Sequence, residues 1–183
     1  INLQYADQQM LTVNARDLSQ VVTEVLDGVL VVNVPNKSYE PMVLDIAVPT
    51  LSLIRAVGAC SIDNEHANVL IADNLTIDLA GAAEADLDLQ VKTLTVDAKG
   101  AASLDLSGEA DNVTITVAGA GDVDAEALIT QIMHINCAGA SEADIFVTKE
   151  LWAQAAGASK ISYKGNPRIK QSIAVGGSWI EKD

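Results

Sequence analysis

Five aspartates occupy one phase of this chain: Asp63, Asp86, Asp105, Asp124 and Asp144 are separated by 23, 19, 19 and 20 residues. Ser162 and Glu181 continue the phase. If equivalent residues lie one above another at strand spacing, neighbouring carboxylates repel by about 1 kcal/mol in water and about 3–4 at an effective dielectric of 20. A hard cation such as Ca²⁺ relieves such a column, since it takes six to eight oxygens. The opposing reading is a solvated acidic face, and it is the one favoured here, because no Asp-x-Asp-x-Asp-Gly loop or nonapeptide calcium repeat occurs. Calorimetric titration with Ca²⁺ separates the two. Adjacent aspartates also offer the spacing of roughly 5–9.5 Å at which glycosidases place an acid and a base. A pectinase-like enzyme acting on polysaccharide is therefore the alternative reading. Its weakness is that repetition alone creates such pairs. Arginine is confined to Arg16, Arg55 and Arg168, and aromatic residues make up only 3%. No catalytic residue is assigned.

The remaining candidates point away from chemistry. His66 and His134 are the only histidines; His134 falls at an outward position and His66 in the longer insert between Gly58 and Gly81, so neither reads as a ligand of a zinc site, which needs three or four convergent groups. No nucleophile elbow is present. Cys60 and Cys137 lie four repeats apart, about 19 Å at strand spacing, where a disulfide needs Cα atoms within about 7 Å. Two free thiols are expected, with Cys137 packed as a small hydrophobe.

What would position the aspartates is a glycine repeat. Gly58, Gly81, Gly100, Gly119, Gly139, Gly157 and Gly176 each precede Ala or Gly, at spacings of 18–23 residues. Two residues before them stand Ala56, Leu79, Ala98, Val117, Cys137, Ala155 and Ala174. Four residues after come Ile62, Ala85, Leu104, Val123, Ala143, Ile161 and Ile180. Apolar residues at step two, with polar ones between, have the period of a half-buried strand. Each repeat thus reads as a strand, a Gly-Ala corner, a second strand of about five residues and a return turn. One such unit cannot bury its apolar face alone, whereas stacked units can. About seven rungs of 18–23 residues would form an all-β solenoid (β-helix) roughly 34 Å long. The aspartates, one step beyond the inward position, point outward.

Residues 51–183 carry this repeat, and residues 1–50 are read as strands and a cap within one solenoid domain spanning 1–183. Strand-like stretches there are Leu26 to Val34, interrupted by Asp27-Gly28, and Met42 to Val48, with a Pro35-Asn36-Lys37 turn between. At the other end Asn166-Pro167 forms a turn and Trp179 is expected as an apolar lid on the last rung. Composition agrees with a thin interior: hydrophobic residues make up 49% of the 183, 27 of them alanine. Twenty-five acidic against 11 basic side chains give a net charge of -14, which argues against nucleic-acid binding and against adsorption to anionic membranes. No apolar run reaches the 18 or so residues of a membrane-spanning helix.

Three stretches carry a family likeness: Val43-Leu44-Asp45-Ile46-Ala47-Val48-Pro49-Thr50-Leu51, the corner Gly119-Ala120-Gly121-Asp122-Val123-Asp124, and Ile161-Ser162-Tyr163-Lys164-Gly165-Asn166-Pro167. From about Asp27 onward the chain resembles the putative auto-transporter adhesin, head GIN domain family. The resemblance implies a right-handed parallel β-helix exported to the periplasm or surface of a Gram-negative cell. It also implies an adhesin-like or structural binding module whose partners are an extracellular polysaccharide or protein surface, with self-association into a homo-oligomer as a further expectation.

Overall fold

A computed structural model describes residues 1–34, 42–64 and 68–183. The expected Pro35-Asn36-Lys37 turn and His66 fall outside the described residues. The strands are β1 (Asn2–Tyr5), β2 (Met10–Asn14), β3 (Val22–Leu26), β4 (Val29–Asn33), β5 (Val43–Val48), β6 (Leu53–Gly58), β7 (Ser61–Asp63) and β8 (Leu70–Gly81). They continue as β9 (Glu84–Gly100), β10 (Ser103–Gly119), β11 (Asp122–Gly139), β12 (Glu142–Gly157), β13 (Lys160–Gly165), β14 (Arg168–Gly176) and β15 (Trp179–Lys182). Among the described residues one 3-10 turn, Leu18–Gln20, occurs, capped by the Asp17 side chain.

Thirteen strands wind into one sheet, a β-solenoid of about seven turns whose strands are mostly parallel. One path runs β15-β13-β12-β11-β10-β9-β7-β1-β5-β2; on the other, β14 pairs with β12, and β8 joins β6 to β9. The register is the one the glycines predict. Gly58 stands opposite Gly81, Gly81 opposite Gly100, and so on to Gly176. Each of these glycines has φ between +82 and +129. From Gly81 onward, an added Cβ would approach the carbonyl oxygen of the preceding rung's glycine to between 2.2 and 2.9 Å. Both the conformation and the close approach therefore exclude a side chain.

The return turn differs from the sequence reading. In the middle rungs the two strands run together as one strand of 16–18 residues. The bend comes from a slip in alternation: Ala110 faces in, Asp111 and Asn112 do not, and Val113 faces in again. Backbone pairing thus continues around the bend without a loop, leaving few unpaired polar groups. Inward side chains stack in columns such as Leu75, Leu94, Val113, Met133 and Leu151, each no more than 2% exposed. The narrow core built of Ala, Val, Ile and Leu follows directly.

The two end regions each correct one expectation. Asp27-Gly28 does not interrupt one strand but turns a hairpin, with φ of +50 and +81 as the two central residues of a tight turn require. Its strands β3 and β4 pair antiparallel and form a sheet of their own. β2 also pairs antiparallel with β5, so the stack ends on a reversed strand. At the far end Trp179 is no lid. It stands in register with outward-facing Lys160 and Glu142 and is 50% exposed. Ile180, in register with buried Ile161, packs against the core in its place.

Candidate functional site

Parallel pairing sets the five aspartates in a single column. Asp63 is opposite Asp86, then Asp105, Asp124 and Asp144 follow rung by rung. The column continues to Ser162 and Glu181, and in the other direction to Asn2 and Asp45. The sequence reading missed that second extension, although Asp45 sits between apolar neighbours just as the repeat aspartates do. Asn2 Nδ2 donates to Asp45 Oδ1 at 2.6 Å, and Asn14 Nδ2 donates to Oδ2 at 3.2 Å. Two amides thus relieve that end.

Two lysines relieve the other. Lys160 Nζ lies 3.2 Å from Glu142 and 3.6 Å from Glu181, and Lys164 Nζ donates to Glu126 at 2.6 Å. Glu126, Asp144 and Asp183 bring one carboxylate oxygen each within 4.8 Å of one another beside that ammonium. The tightest knot of acids is therefore served by a cation of the chain itself. Burial, with Glu142 and Glu126 nearby, pushes the Asp144 carboxyl above its usual value, opposed by the Ser162 hydroxyl and Lys160. Ser162 Oγ is buried and lends this help without full hydrogen-bond alignment. Because the folded-state value lies above the ordinary 3.8 of an aspartate, Asp144 leaves stability untouched below that pH and lowers it as pH rises from there through the folded value. Asp144→Asn is expected to melt higher than the parent at pH 7, the difference vanishing by about pH 3 in a thermal melt series.

A separate groove runs along the rod. It is open, with a volume of about 820 Å³, and is lined by Thr50, Leu51 and Ser52 and then by corresponding residues of four rungs: 71–74, 90–92, 109–111, and Ile129 with Gln131. Four rung spacings make it about 19 Å long. Charged and polar side chains along it are linked: Lys92 Nζ lies 2.7 Å from Asp73 Oδ1, Gln131 Nε2 donates to Asp111 Oδ1 at 2.6 Å, and Lys149 Nζ donates to Gln131 Oε1 at 2.5 Å. A hydrogen bond from Lys92 to Asp73, with the charge of that carboxylate, raises the Lys92 pKa. Two of the large apolar side chains exposed on the solenoid, Ile71 and Ile129, line this groove, whereas Val57, 77% exposed on the strand beside β8, does not. None of the five column aspartates does, and no aromatic ring lies among its lining residues.

The remaining sequence candidates fall elsewhere. His134 points outward as expected and stacks on Trp152, ring centroids 4.2 Å apart at 11°. Lys170 Nζ sits 5.7 Å from the Trp152 ring. The rings face along the rod axis toward neighbouring rungs, so Trp152 presents its edge, and not a stacking platform, to solvent. Both cysteines are free thiols: Cys137 is fully buried, its pKa pushed up to about 11 by desolvation, and half-buried Cys60 is raised for the same reason. No helix among the described residues is long and apolar enough to cross a membrane.

Compared with known families, the chain matches the model described as putative auto-transporter adhesin, head GIN domain over residues 1–167. The chain belongs to that family. The match starts at the first residue, earlier than the Asp27 of the sequence likeness, and stops before the last Gly-Gly rung. Solved structures repeat the fold. A putative adhesin from Bacteroides fragilis superposes with a TM-score of 0.89 at 24% identity, covering 100% of this chain and 88% of that one. A putative lipid binding protein from Parabacteroides distasonis gives 0.75 at 20% identity, with 100% and 87% covered. A putative adhesin from Parabacteroides merdae gives 0.66 at 19%, again with 100% and 87% covered. No curated protein matches the chain.

Proposed function

We propose that this family member is a non-catalytic, adhesin-like binding module exported to the cell envelope, and that it holds an extended polymer, a polysaccharide or a protein strand, in the groove along its rungs. The observation that carries the reading is that Ile71 and Ile129, 54% and 50% exposed, stand among the hydrogen-bonding groups that line the groove. Exposed apolar side chains flanked by hydrogen-bonding groups mark interaction sites. A groove open along its length suits a chain better than a compact ligand. The name of the Parabacteroides distasonis relative raises a lipid, but Asp73, Lys92, Glu109 and Asp111 line this groove, and burying an acyl chain against them would strand charge. Asp73 and Asp111 are already engaged with Lys92 and Gln131, which suits recognition better than proton transfer. The column of Asp63, Asp86, Asp105, Asp124 and Asp144 is proposed as a solvated face that keeps the rod soluble.

Glycan-array and whole-cell binding test the reading. Ile71→Asp and Ile129→Asp, both at exposed positions, are expected to weaken binding at least about tenfold with the melting curve unchanged. Binding indifferent to both changes would move the site elsewhere, and product release from any polysaccharide would overturn the non-catalytic assignment.

A further inference from the structure

Resting on the groove as the binding site, we infer that its occupant is a polypeptide strand lying along the rod axis, in which a Lys or Arg is flanked two residues away on each side by an aliphatic side chain. Ile71, Gln90, Glu109 and Ile129 stand in one column, paired rung by rung. All four are exposed. The two isoleucines are therefore three rung spacings apart, about 14 Å. An extended chain advances about 3.4 Å per residue and turns every second side chain to the same face. Side chains four residues apart on such a strand are about 13.6 Å from one another, so each can meet one isoleucine. The side chain midway between them, about 7 Å along, then stands between Gln90 and Glu109.

Charge fixes what that middle residue is. Three acids and one base line the groove. Lys92 is held by Asp73, and Asp111 by Gln131, which in turn accepts from Lys149, so the neighbouring column answers its own polar groups. Glu109 and Gln90 form no side-chain hydrogen bond or ion pair among the described residues. An uncharged chain laid over Glu109 would desolvate it without a counter-charge, and an acidic chain would be repelled. A Lys or Arg head pairs with it, Arg through two parallel hydrogen bonds. Gln90 keeps both an amide donor and a carbonyl acceptor for the N–H and C=O groups of the strand's backbone. A cationic sugar chain would supply amines for Glu109 but no aliphatic side chains for Ile71 and Ile129.

The probe is a dye-labelled peptide with the core Val-Thr-Arg-Thr-Val between Gly-Ser arms, titrated with the whole chain and followed by fluorescence anisotropy at low salt. Saturable binding is expected, at least about tenfold weaker when the peptide's Arg is replaced by Glu. Deleting one Thr, which turns one Val to the opposite face, should weaken it by about as much. Glu109→Lys, at an exposed position, is expected to reverse the preference between the Arg and Glu peptides while keeping the parent's melting curve. No saturable binding of the Arg peptide up to about 1 mM, or binding indifferent to the Glu109 change, overturns the inference. Dextran, polygalacturonate and chitosan are titrated beside it. A sugar chain bound in place of the peptide, and lost in Ile129→Asp, would overturn the peptide as occupant while the groove stands as the site. Binding of neither class that depends on Ile71 or Ile129 would remove the groove as well.

Discussion

Gly139→Ala is expected to destabilise the fold by about 3–4 kcal/mol, lowering the melting temperature by roughly 10 °C. Two costs combine. At φ +109 an alanine is strained by about 1–3 kcal/mol, and its Cβ would stand 2.2 Å from the Gly119 carbonyl oxygen. That oxygen belongs to the backbone and accepts a hydrogen bond from the Ala140 N–H at 2.8 Å, so it cannot move aside without loosening the corner. Gly58→Ala is the natural control. Gly58 has a similar φ of +106 but begins the column, and nothing lies within 4 Å of its added Cβ. It should lose only the strain, about 1–3 kcal/mol. Equal losses at the two positions in urea unfolding would show that contact between rungs contributes nothing, and the explanation of the glycine column would fail.

The repeat was legible because it obeys two constraints at once, glycine at the corner and apolar residues at step two. Position by position, the sequence foretold the pairing from Gly58 to Gly176 and the alignment of Asp63 through Asp144. The third corner position holds small residues for a reason that only the fold shows. Ala83, Ala102, Ser141 and Ser159 are buried there, and Ser141 Oγ and Ser159 Oγ lie 3.1 Å apart, so that a hydroxyl is tolerated where a neighbouring rung can answer it. Other features left no such mark. The groove is assembled from the bend between two strand segments, where the sequence suggested a loop, and its lining residues share no single residue type. Asp27-Gly28 was visible as an interruption of an apolar stretch, but not as the turn of a hairpin, because nothing in the sequence marked Val22–Leu26 as the partner of Val29–Asn33. Trp179 was misplaced because a large ring near the end of a stack suggests a cover, whereas its register with Lys160 turns it outward.

Leu94→Ala is expected to cost about 3–4 kcal/mol, the upper part of what such truncations show, because the site cannot collapse. Leu94 is fully buried, with Leu75 in register on one side and Val113 on the other. In a helical core, neighbouring elements slide to close part of a cavity. Here Leu75 and Val113 are carried by strands fixed at hydrogen-bonded spacing, and the rungs above and below hold those strands in turn. The void should therefore persist, whereas Ile180→Ala, at a half-buried position on the last rung, should cost less than about 1 kcal/mol. The contrast tests the thin core itself. In a stack where each rung contacts only its neighbours, a central defect weakens two interfaces and a terminal one weakens a single interface. Urea titrations of the two variants should reproduce that order, and a Leu94→Ala loss below about 1.5 kcal/mol would mean that the rungs close up around the missing side chain.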